Sequence, residues 1–218
     1  MALADTLSLA AFYDLLPIGP DGLKFNFEFM QERSLTGGGD RLVADRAPAL
    51  LMAEITTMPV PDAEAESIMA LLNSRAGGLK QFLLTNPRLP YPSSDPTGSI
   101  FGAATPVVGV ITNRLVLAFT GFPNGYSIPR GTWFQILFDT SRYYLGQFAE
   151  AKTANGSGAV SAVEVYPPLP AGIGSGAAVT VKRPAGKFKP VAGSAYISSV
   201  NQRFSRVTFS AEQTYAAG

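Results

Sequence analysis

The sequence predicts a mainly β protein with one long helix, and three observations carry this prediction. Residues 23–31 alternate apolar and polar side chains, as a half-buried strand does. Short apolar segments separated by glycine, proline and asparagine then follow one another between residues 106 and 182. The stretch 60–87 contains the one strong helix signal, and a single helix among strands typically covers one face of a sheet.

Asp62 is expected to be the N-cap of the helix, because its short side chain can accept hydrogen bonds from the N–H groups of the first turn. Glu64 and Glu66 place negative charge at the positive end of the helix dipole. The apolar side chains recur at helical spacing and form one stripe: Ala65, Ile68, Met69 and Leu72. Arg75 in the last turn and the pair Gly77-Gly78 predict where the helix ends.

The segments around this helix predict the rest of a first block. Residues 7–16 are expected to form a short helix or an arm, and Pro17–Gly22 is a turn cluster. Strands are predicted at 23–31, 49–60 and 81–85. The triple glycine before Asp40 lacks the lysine and hydroxyl residue of a phosphate-binding loop, so we interpret it as a hairpin tip between the first two strands.

A second block follows the proline-rich stretch 87–98, which predicts a boundary or a stiff connector. Several strands at short spacing without a helix are typical of a small barrel or sandwich. These strands are predicted at 106–111, 114–119, 132–138, 143–151, 159–166 and 177–182. Asn155–Gly158 is a strong hairpin signal between two of them, and Pro184–Ser194 is interpreted as a second loose connector.

The domain organisation depends on residues 200–215, in which apolar and polar side chains alternate and predict one more strand. A lone strand is not stable in water, and the first block has too few strands for its helix. We therefore predict one discontinuous domain, 1–96 plus 187–218, with residues 97–186 inserted as a second domain. The rival arrangement is two sequential domains, with the last strand completing the second one.

The composition excludes several kinds of chemistry. The chain has no cysteine and no histidine, so disulfides, thiolate or imidazole metal sites and histidine-based catalysis are excluded. A net charge of +1 argues against a dedicated nucleic-acid binder. No apolar run approaches the roughly 20 residues of a membrane span, and the N-terminus lacks the basic start of a signal peptide. Only 15% of residues are charged, which favours a surface that partners cover.

Candidate sites are few. The sixteen carboxylates stand in no motif that sets a spacing, so no catalytic, cofactor-binding or metal-ligating residue is predicted. Four aromatic residues could form a platform for a sugar or a base, although core and interface roles are more usual: Trp133, Phe134, Tyr143 and Tyr144. Four cations flank a proline-glycine turn and predict a solvated edge: Lys182, Arg183, Lys187 and Lys189. From the residues alone, the chain is predicted to be a β-rich assembly or binding protein without catalysis.

A resemblance rests on several segments taken in their order along the chain. These are FYDLLP (12–17), GLKFNFEFMQ (22–31), PYPSSDPTG (90–98), TANGSGAVSAVEVYPPL (153–169), AAVTVKRPAGKF (177–188) and RFSRVTFSAEQ (203–213). Together they make the chain similar, over nearly its whole length, to the distal tail proteins of siphophages and related prophages.

This resemblance implies a non-catalytic ring at the tail tip of the virion, usually a hexamer, that joins the tail tube to the hub and fibres. It implies a β-sandwich with one flanking helix for the discontinuous domain, and a barrel resembling an OB-fold for the insertion. The expected partners are further copies of the chain, the tail-tube protein and the hub or fibre proteins, with DNA only passing through the lumen. The alternative is a carbohydrate-binding or receptor-binding module, free or on the same particle.

Overall fold

The computed structural model describes residues 6–75 and 78–216, and it confirms the prediction of a mainly β protein with a small barrel. Of the structure, 45% is strand and only 10% is helix. The helices are α1 (Leu9–Leu15) and α2 (Asp62–Ser74). The first seven strands are β1 (Thr6–Leu7), β2 (Ile18–Glu28), β3 (Gln31–Leu35), β4 (Arg41–Asp45), β5 (Leu50–Thr57), β6 (Val60–Pro61) and β7 (Gln81–Thr85). The next eight are β8 (Val107–Ile111), β9 (Val116–Thr120), β10 (Ser127–Ile128), β11 (Trp133–Phe138), β12 (Arg142–Phe148), β13 (Lys152–Thr153), β14 (Val160–Tyr166) and β15 (Ala178–Thr180). The last three are β16 (Ala185–Pro190), β17 (Tyr196–Ser199) and β18 (Phe204–Gln213).

One eight-stranded sheet combines strands from both ends of the described chain. Its order is β1-β7-β16-β18-β5-β2, and β17 and β6 add to the two sides of β18. The long strand β18 is central because it pairs with β5 on one side and with β16 on the other. The final alternating stretch therefore finds its partners in the first block. The domain boundaries themselves stay a prediction.

The strands between these two groups close into a separate barrel. Its six antiparallel strands follow the order β11-β12-β14-β9-β8-β15, and β15 pairs back with β11. Inward-facing aromatic side chains fill it, among them Phe119, Phe134, Tyr144 and Phe148. Phe134 and Phe148 lie 4.5 Å apart between ring centroids. In such a closed barrel each strand has a neighbour on both sides, so no strand edge is left free.

Two helices and the barrel wall cover the same apolar face of the sheet. Phe12 of α1 stacks on Phe82 of β7, with ring centroids 4.3 Å apart and the planes 8° from parallel. Ile68 and Leu72 of α2 are buried in the same core. On the barrel side, Trp133 packs 5.4 Å from Phe25 of β2, between ring centroids. The barrel therefore helps to exclude water from this face of the sheet.

The predicted apolar stripe of helix α2 is confirmed, but the predicted N-cap of the helix is wrong. Ala65, Ile68 and Leu72 are buried, and Met69 is half-buried. The helix begins at Asp62, so Pro61 occupies the capping position and no side chain caps the helix. The prediction that Asp62 is the cap is wrong by one residue.

The Asp62 carboxylate instead accepts a 2.6 Å hydrogen bond from the Ser205 hydroxyl of β18. This bond ties the first turn of α2 to the central strand of the sheet. Helix α2 ends at Ser74 with Arg75 as its cap residue, and Gly78 has a φ of 102°. Gly77, also predicted to end the helix, lies outside the described residues.

Both predicted connectors are more ordered than expected. The prediction of a loose segment at 184–194 is wrong for its first part, because residues 185–190 form β16 and pair with β7 and β18. The proline-rich stretch is ordered by the buried Asp95 carboxylate, which accepts hydrogen bonds from the N–H groups of Ile100 and Phe101, and the Ser94 hydroxyl donates to the Ser127 carbonyl at 2.7 Å. Residues 185 and 186, placed in the insertion by the sequence prediction, belong to this sheet strand.

Candidate assembly surface

A two-stranded arm extends from the sheet. Strands β3 and β4 pair only with each other in the part of the chain that the structure describes. They prolong the hairpin of β2 and β5, but the register changes between the pair Glu28–Leu50 and the pair Gln31–Asp45. The Arg46 N–H donates to the Met30 carbonyl at this step, 2.8 Å away. The arm is thus a continuation of one ribbon with a kink at its base.

The tip of the arm is the predicted glycine-rich turn. The Thr36 N–H donates to the Asp40 carbonyl at 2.8 Å, and the Thr36 hydroxyl accepts from the Asp40 N–H. Gly39 has a φ of 88°, a left-handed conformation that glycine adopts without a steric penalty. The prediction of a hairpin tip here is confirmed by this geometry.

The arm exposes apolar side chains that the described chain does not cover. Leu35, Leu42 and Val43 are 69%, 59% and 54% exposed. The cross-strand polar contacts, an ion pair of Glu32 with Arg46 and a hydrogen bond of Gln31 with Asp45, are all solvent-exposed. Exposed pairs of this kind stabilise by about 0–1 kcal/mol, and an isolated two-stranded hairpin is marginal in water. The arm is therefore only marginally stable by itself, and contact with a neighbouring surface would stabilise it.

The base of the arm leans on the barrel. Phe27 makes an edge-to-face contact with Tyr166 of β14, with ring centroids 4.9 Å apart. Phe29 lies 6.1 Å from the same ring but is 54% exposed. These contacts fix the direction in which the arm leaves the body, because they anchor β2 on the barrel just before β3 begins.

The four aromatic residues that could have formed a ligand platform do not share one exposed surface. Phe134 and Tyr144 face the barrel interior and are fully buried. The Tyr144 hydroxyl donates to the Pro167 carbonyl, and burial raises the pKa of this phenol well above its usual value. Trp133 is buried between the barrel and the sheet, and only Tyr143 is partly exposed.

The predicted solvated edge of four cations is only partly correct. Arg183 is exposed and Lys182 and Lys189 are half-buried, whereas Lys187 is buried. The Lys187 ammonium lies 5.8 Å from the centroid of the Tyr143 ring, and burial lowers the pKa of this ammonium. Lys187 thus contributes a cation–π contact at the junction of sheet and barrel.

No grouping of three or more acidic side chains that could hold a metal ion occurs among residues 6–75 and 78–216. Neither helix within this range is long and apolar enough to cross a membrane. No protein-family model matches the chain, and no curated protein matches it. The arm, and the junction of sheet and barrel, are therefore interpreted from their own geometry.

Sequence reasoning did not separate the arm from the strands next to it. Its only signal is the position of QERSL and RLVAD on either side of the glycine-rich turn, because QERSL has four polar residues before its leucine, RLVAD has three consecutive apolar residues, and neither alternates. What distinguishes them is the absence of a third strand beside them in the described structure, and this depends on the tertiary fold.

Proposed function

We propose that this chain is a structural subunit of a phage tail tip, without catalytic activity, that assembles into a closed ring. In this role it joins the tail tube to the hub and host-recognition proteins of the virion. The resemblance of its ordered segments to distal tail proteins supports the proposal. The observation that carries it in the structure is the exposed arm of β3 and β4.

The arm favours assembly of identical copies for a physical reason. Every copy carries one arm, and the apolar side chains of that arm have no cover in their own described chain. If each arm contacts a different surface on the next copy, the contact is heterologous, and repetition closes a ring when the rotation permits it. Leu35 and Val43 share one face of the arm and Leu42 lies on the other. A surface that covers one face would bury one or two aliphatic side chains and contribute a few kcal/mol per contact, at about 25 cal/mol per Å² of apolar area. Six copies are the expected number from the resemblance.

The finer fold assignment belongs to the same proposal. A β-sandwich is supported by the way β18 pairs with β5 and β16 through its second half and with β6 and β17 through its first half. Such divided pairing lets one long strand serve two layers. An OB-like barrel is supported by the small size and antiparallel closure of the six-stranded barrel.

The test is the mass of the purified chain in solution. Light scattering after size exclusion, at tens of micromolar, should give a multiple of the 23.0 kDa subunit, alone or with the tail-tube protein. Electron micrographs of the same fraction should show rings. A chain that stays monomeric under both conditions would contradict the proposal. If that monomer also gave a signal on a glycan array, the receptor-binding alternative would replace it.

A further inference from the structure

Two asparagines of this chain are each followed by a glycine, Asn124-Gly125 and Asn155-Gly156, and the fold brings the two pairs into neighbouring turns. The first turn follows β9 and the second precedes β14, and the Phe122 N–H donates to the Gly158 carbonyl at 3.0 Å between them. Asparagine amides are chemically labile, and a following glycine favours their loss, because a backbone nitrogen without a side chain beside it can approach the amide carbon closely. The surroundings of each pair therefore decide whether it reacts.

The side chain of Asn155 is held by hydrogen bonds. Its Oδ1 accepts from the Ser157 N–H at 3.0 Å, from the Ser157 hydroxyl at 2.8 Å and from the Ala159 N–H at 2.9 Å. Its backbone is held as well, because the Asn155 N–H donates to the Ala159 carbonyl and the Asn155 carbonyl accepts from the Gly158 N–H, both at 2.9 Å. An attack by the Gly156 nitrogen on this amide would first have to break several of these bonds.

Asn124 has the opposite surroundings. Asn124 and Gly125 are exposed, and in the described chain neither the Asn124 side chain nor the Gly125 N–H has a hydrogen-bond partner. The turn is fixed only beside them, where the Tyr126 N–H donates to the Pro123 carbonyl at 3.1 Å and the Tyr126 carbonyl accepts from the Ala154 N–H at 2.9 Å. The Asn124 amide can therefore rotate towards the Gly125 nitrogen without breaking a hydrogen bond.

We propose that Asn124 is a site of spontaneous deamidation in the folded protein and that Asn155 is protected from it. The Gly125 nitrogen loses its proton to solvent hydroxide and forms a bond to the side-chain carbonyl carbon of Asn124. The bond from that carbon to Nδ2 breaks, and Nδ2 takes up a proton from water and leaves as ammonia, so that a cyclic imide remains. Water then opens the imide at the side-chain carbonyl to give aspartate, or at the backbone carbonyl to give isoaspartate.

Both products change this turn. Each replaces a neutral amide by a carboxylate, which cancels the formal net charge of +1. Isoaspartate also carries the main chain through the former side chain and so lengthens the turn, while Phe122 and Tyr126 remain tied to the neighbouring turn. The aspartate product should therefore fit the turn and the isoaspartate product should strain it. The reaction takes place within one chain, so this inference does not depend on ring assembly.

Trypsin separates the two sites for the test, because the peptide 115–130 contains only Asn124 and the peptide 153–182 contains only Asn155 among the Asn-Gly pairs. The whole folded chain is kept at mildly alkaline pH, digested briefly at mildly acidic pH, and each peptide is examined by mass spectrometry for the conversion of amide to acid. In the folded chain Asn124 should react about tenfold or more faster than Asn155, because hydrogen bonds must break before the second site can react. A chain digested before the incubation is the reference, and there the two sites should react at similar rates.

Gly125→Ala should slow the reaction at Asn124 by about tenfold or more, because the added methyl group hinders the approach of the attacking nitrogen. The matched control is Gly156→Ala, whose Cβ would meet only the Asn124 Oδ1, at 4.0 Å, and it should leave the rate at Asn124 unchanged. Asn124→Asp reproduces one product at an exposed position and should keep the melting temperature of the parent. Equal rates at the two sites of the folded chain, a faster reaction at Asn155, or no reaction at Asn124 would overturn the proposal. Equal slowing by the two alanine substitutions would overturn it as well.

Discussion

Ala185 lies directly opposite Thr85, in the antiparallel pairing of β16 with β7. The Thr85 hydroxyl donates to the Pro184 carbonyl at 2.7 Å, and the Arg183 N–H donates to the Pro90 carbonyl at 2.7 Å. The chain therefore leaves the sheet and returns to it at one place. All strands of the barrel come from the residues between these two crossing points. Adjacent points of departure and return are typical of an inserted unit.

This geometry predicts that the barrel can be removed. Residues 86–184 are replaced by a short Gly/Ser linker from Thr85 to Ala185, and Phe25→Thr and Phe27→Thr are added. The two substitutions are needed because the barrel residues Trp133 and Tyr166 cover these rings in the whole chain. Threonine suits a solvent-exposed strand. We expect a soluble remainder that unfolds cooperatively in urea, as followed by circular dichroism.

A fragment that ends at Thr85 is the comparison for this experiment. It lacks β16 and β18, so β5 loses its central partner and no cooperative transition is expected. A cooperatively folded fragment beside an unfolded excision variant would instead support two sequential domains.

The buried stripe of α2 predicts a contrast between neighbouring positions. Leu72→Ala should lower the free energy of unfolding by about 2–5 kcal/mol, because it leaves a cavity among buried side chains. Ser67→Ala and Asn73→Ala replace exposed residues of the same helix and should change it by no more than about 0.5 kcal/mol. Urea unfolding of the three variants measures the difference. Equal effects at the buried and exposed positions would show that the stripe is assigned wrongly.

The arm predicts a separation of assembly from stability. Leu42→Asp with Val43→Asp should reduce ring formation, because charge replaces the apolar surface that a neighbouring copy would cover. The urea midpoint should stay close to that of the parent, since both side chains are exposed in the single chain. Light scattering and urea unfolding measure the two quantities.

Val110→Asp is the control for the arm, because Val110 is an equally exposed aliphatic residue on the barrel. It should leave the mass of the assembly unchanged. Loss of assembly in this variant and not in the arm variant would place the contact on the barrel instead.

Buried tyrosines predict a loss of stability at alkaline pH. Burial raises the pKa of Tyr126 to about 12, and it raises the pKa values of Tyr13, Tyr144 and Tyr215 as well. An unfolded tyrosine loses its proton near pH 10, so above this pH the unfolded state binds fewer protons than the folded state. The contribution to stability is therefore complete below pH 10 and declines as the pH rises from 10 towards 12.

Urea midpoints measured from pH 8 to pH 11.5 test this decline. Tyr144→Phe should make the decline shallower, because it removes one titrating group from the folded core. At neutral pH the same variant should cost about 1–3 kcal/mol, since it removes the donor to the buried Pro167 carbonyl. A pH dependence unchanged by this substitution would show that Tyr144 does not contribute to it.

The sequence predicted those elements whose pattern is local. The stripe of α2, the alternation of 23–28 and the Asn155 turn each follow from neighbouring residues, and all appear in the structure. The turn cluster at 17–22 was not recognised as part of a strand, because its glycines and proline indicate a turn. In the structure it begins the edge strand β2, with an irregular register between Ile18 and Leu23. Edge strands tolerate such residues.

What the sequence did not predict depends on distant partners. Residues 185–190 have a weak strand pattern, and they form β16 because β7 and β18 offer hydrogen bonds on both sides. The contact between the two Asn-Gly turns is equally non-local, since it joins Phe122 to Gly158. Trp133 and Phe134 are adjacent in the chain but face opposite sides of β11, and only the fold decides which side meets the sheet.

The central position of β18 has a consequence for the order of folding during synthesis. Strand β5 is made early, but its neighbour β18 follows only after roughly 150 further residues, which takes on the order of 7 to 30 seconds at ribosomal rates of about 5–20 residues per second. All the barrel strands are complete before β18 emerges, so the barrel can close while the edge of β5 that pairs with β18 is still free. Until then, β2 and β5 form a hairpin whose β5 edge is open to other nascent chains. Any factor that shields this hairpin would act in that interval, and a slower ribosome would lengthen it.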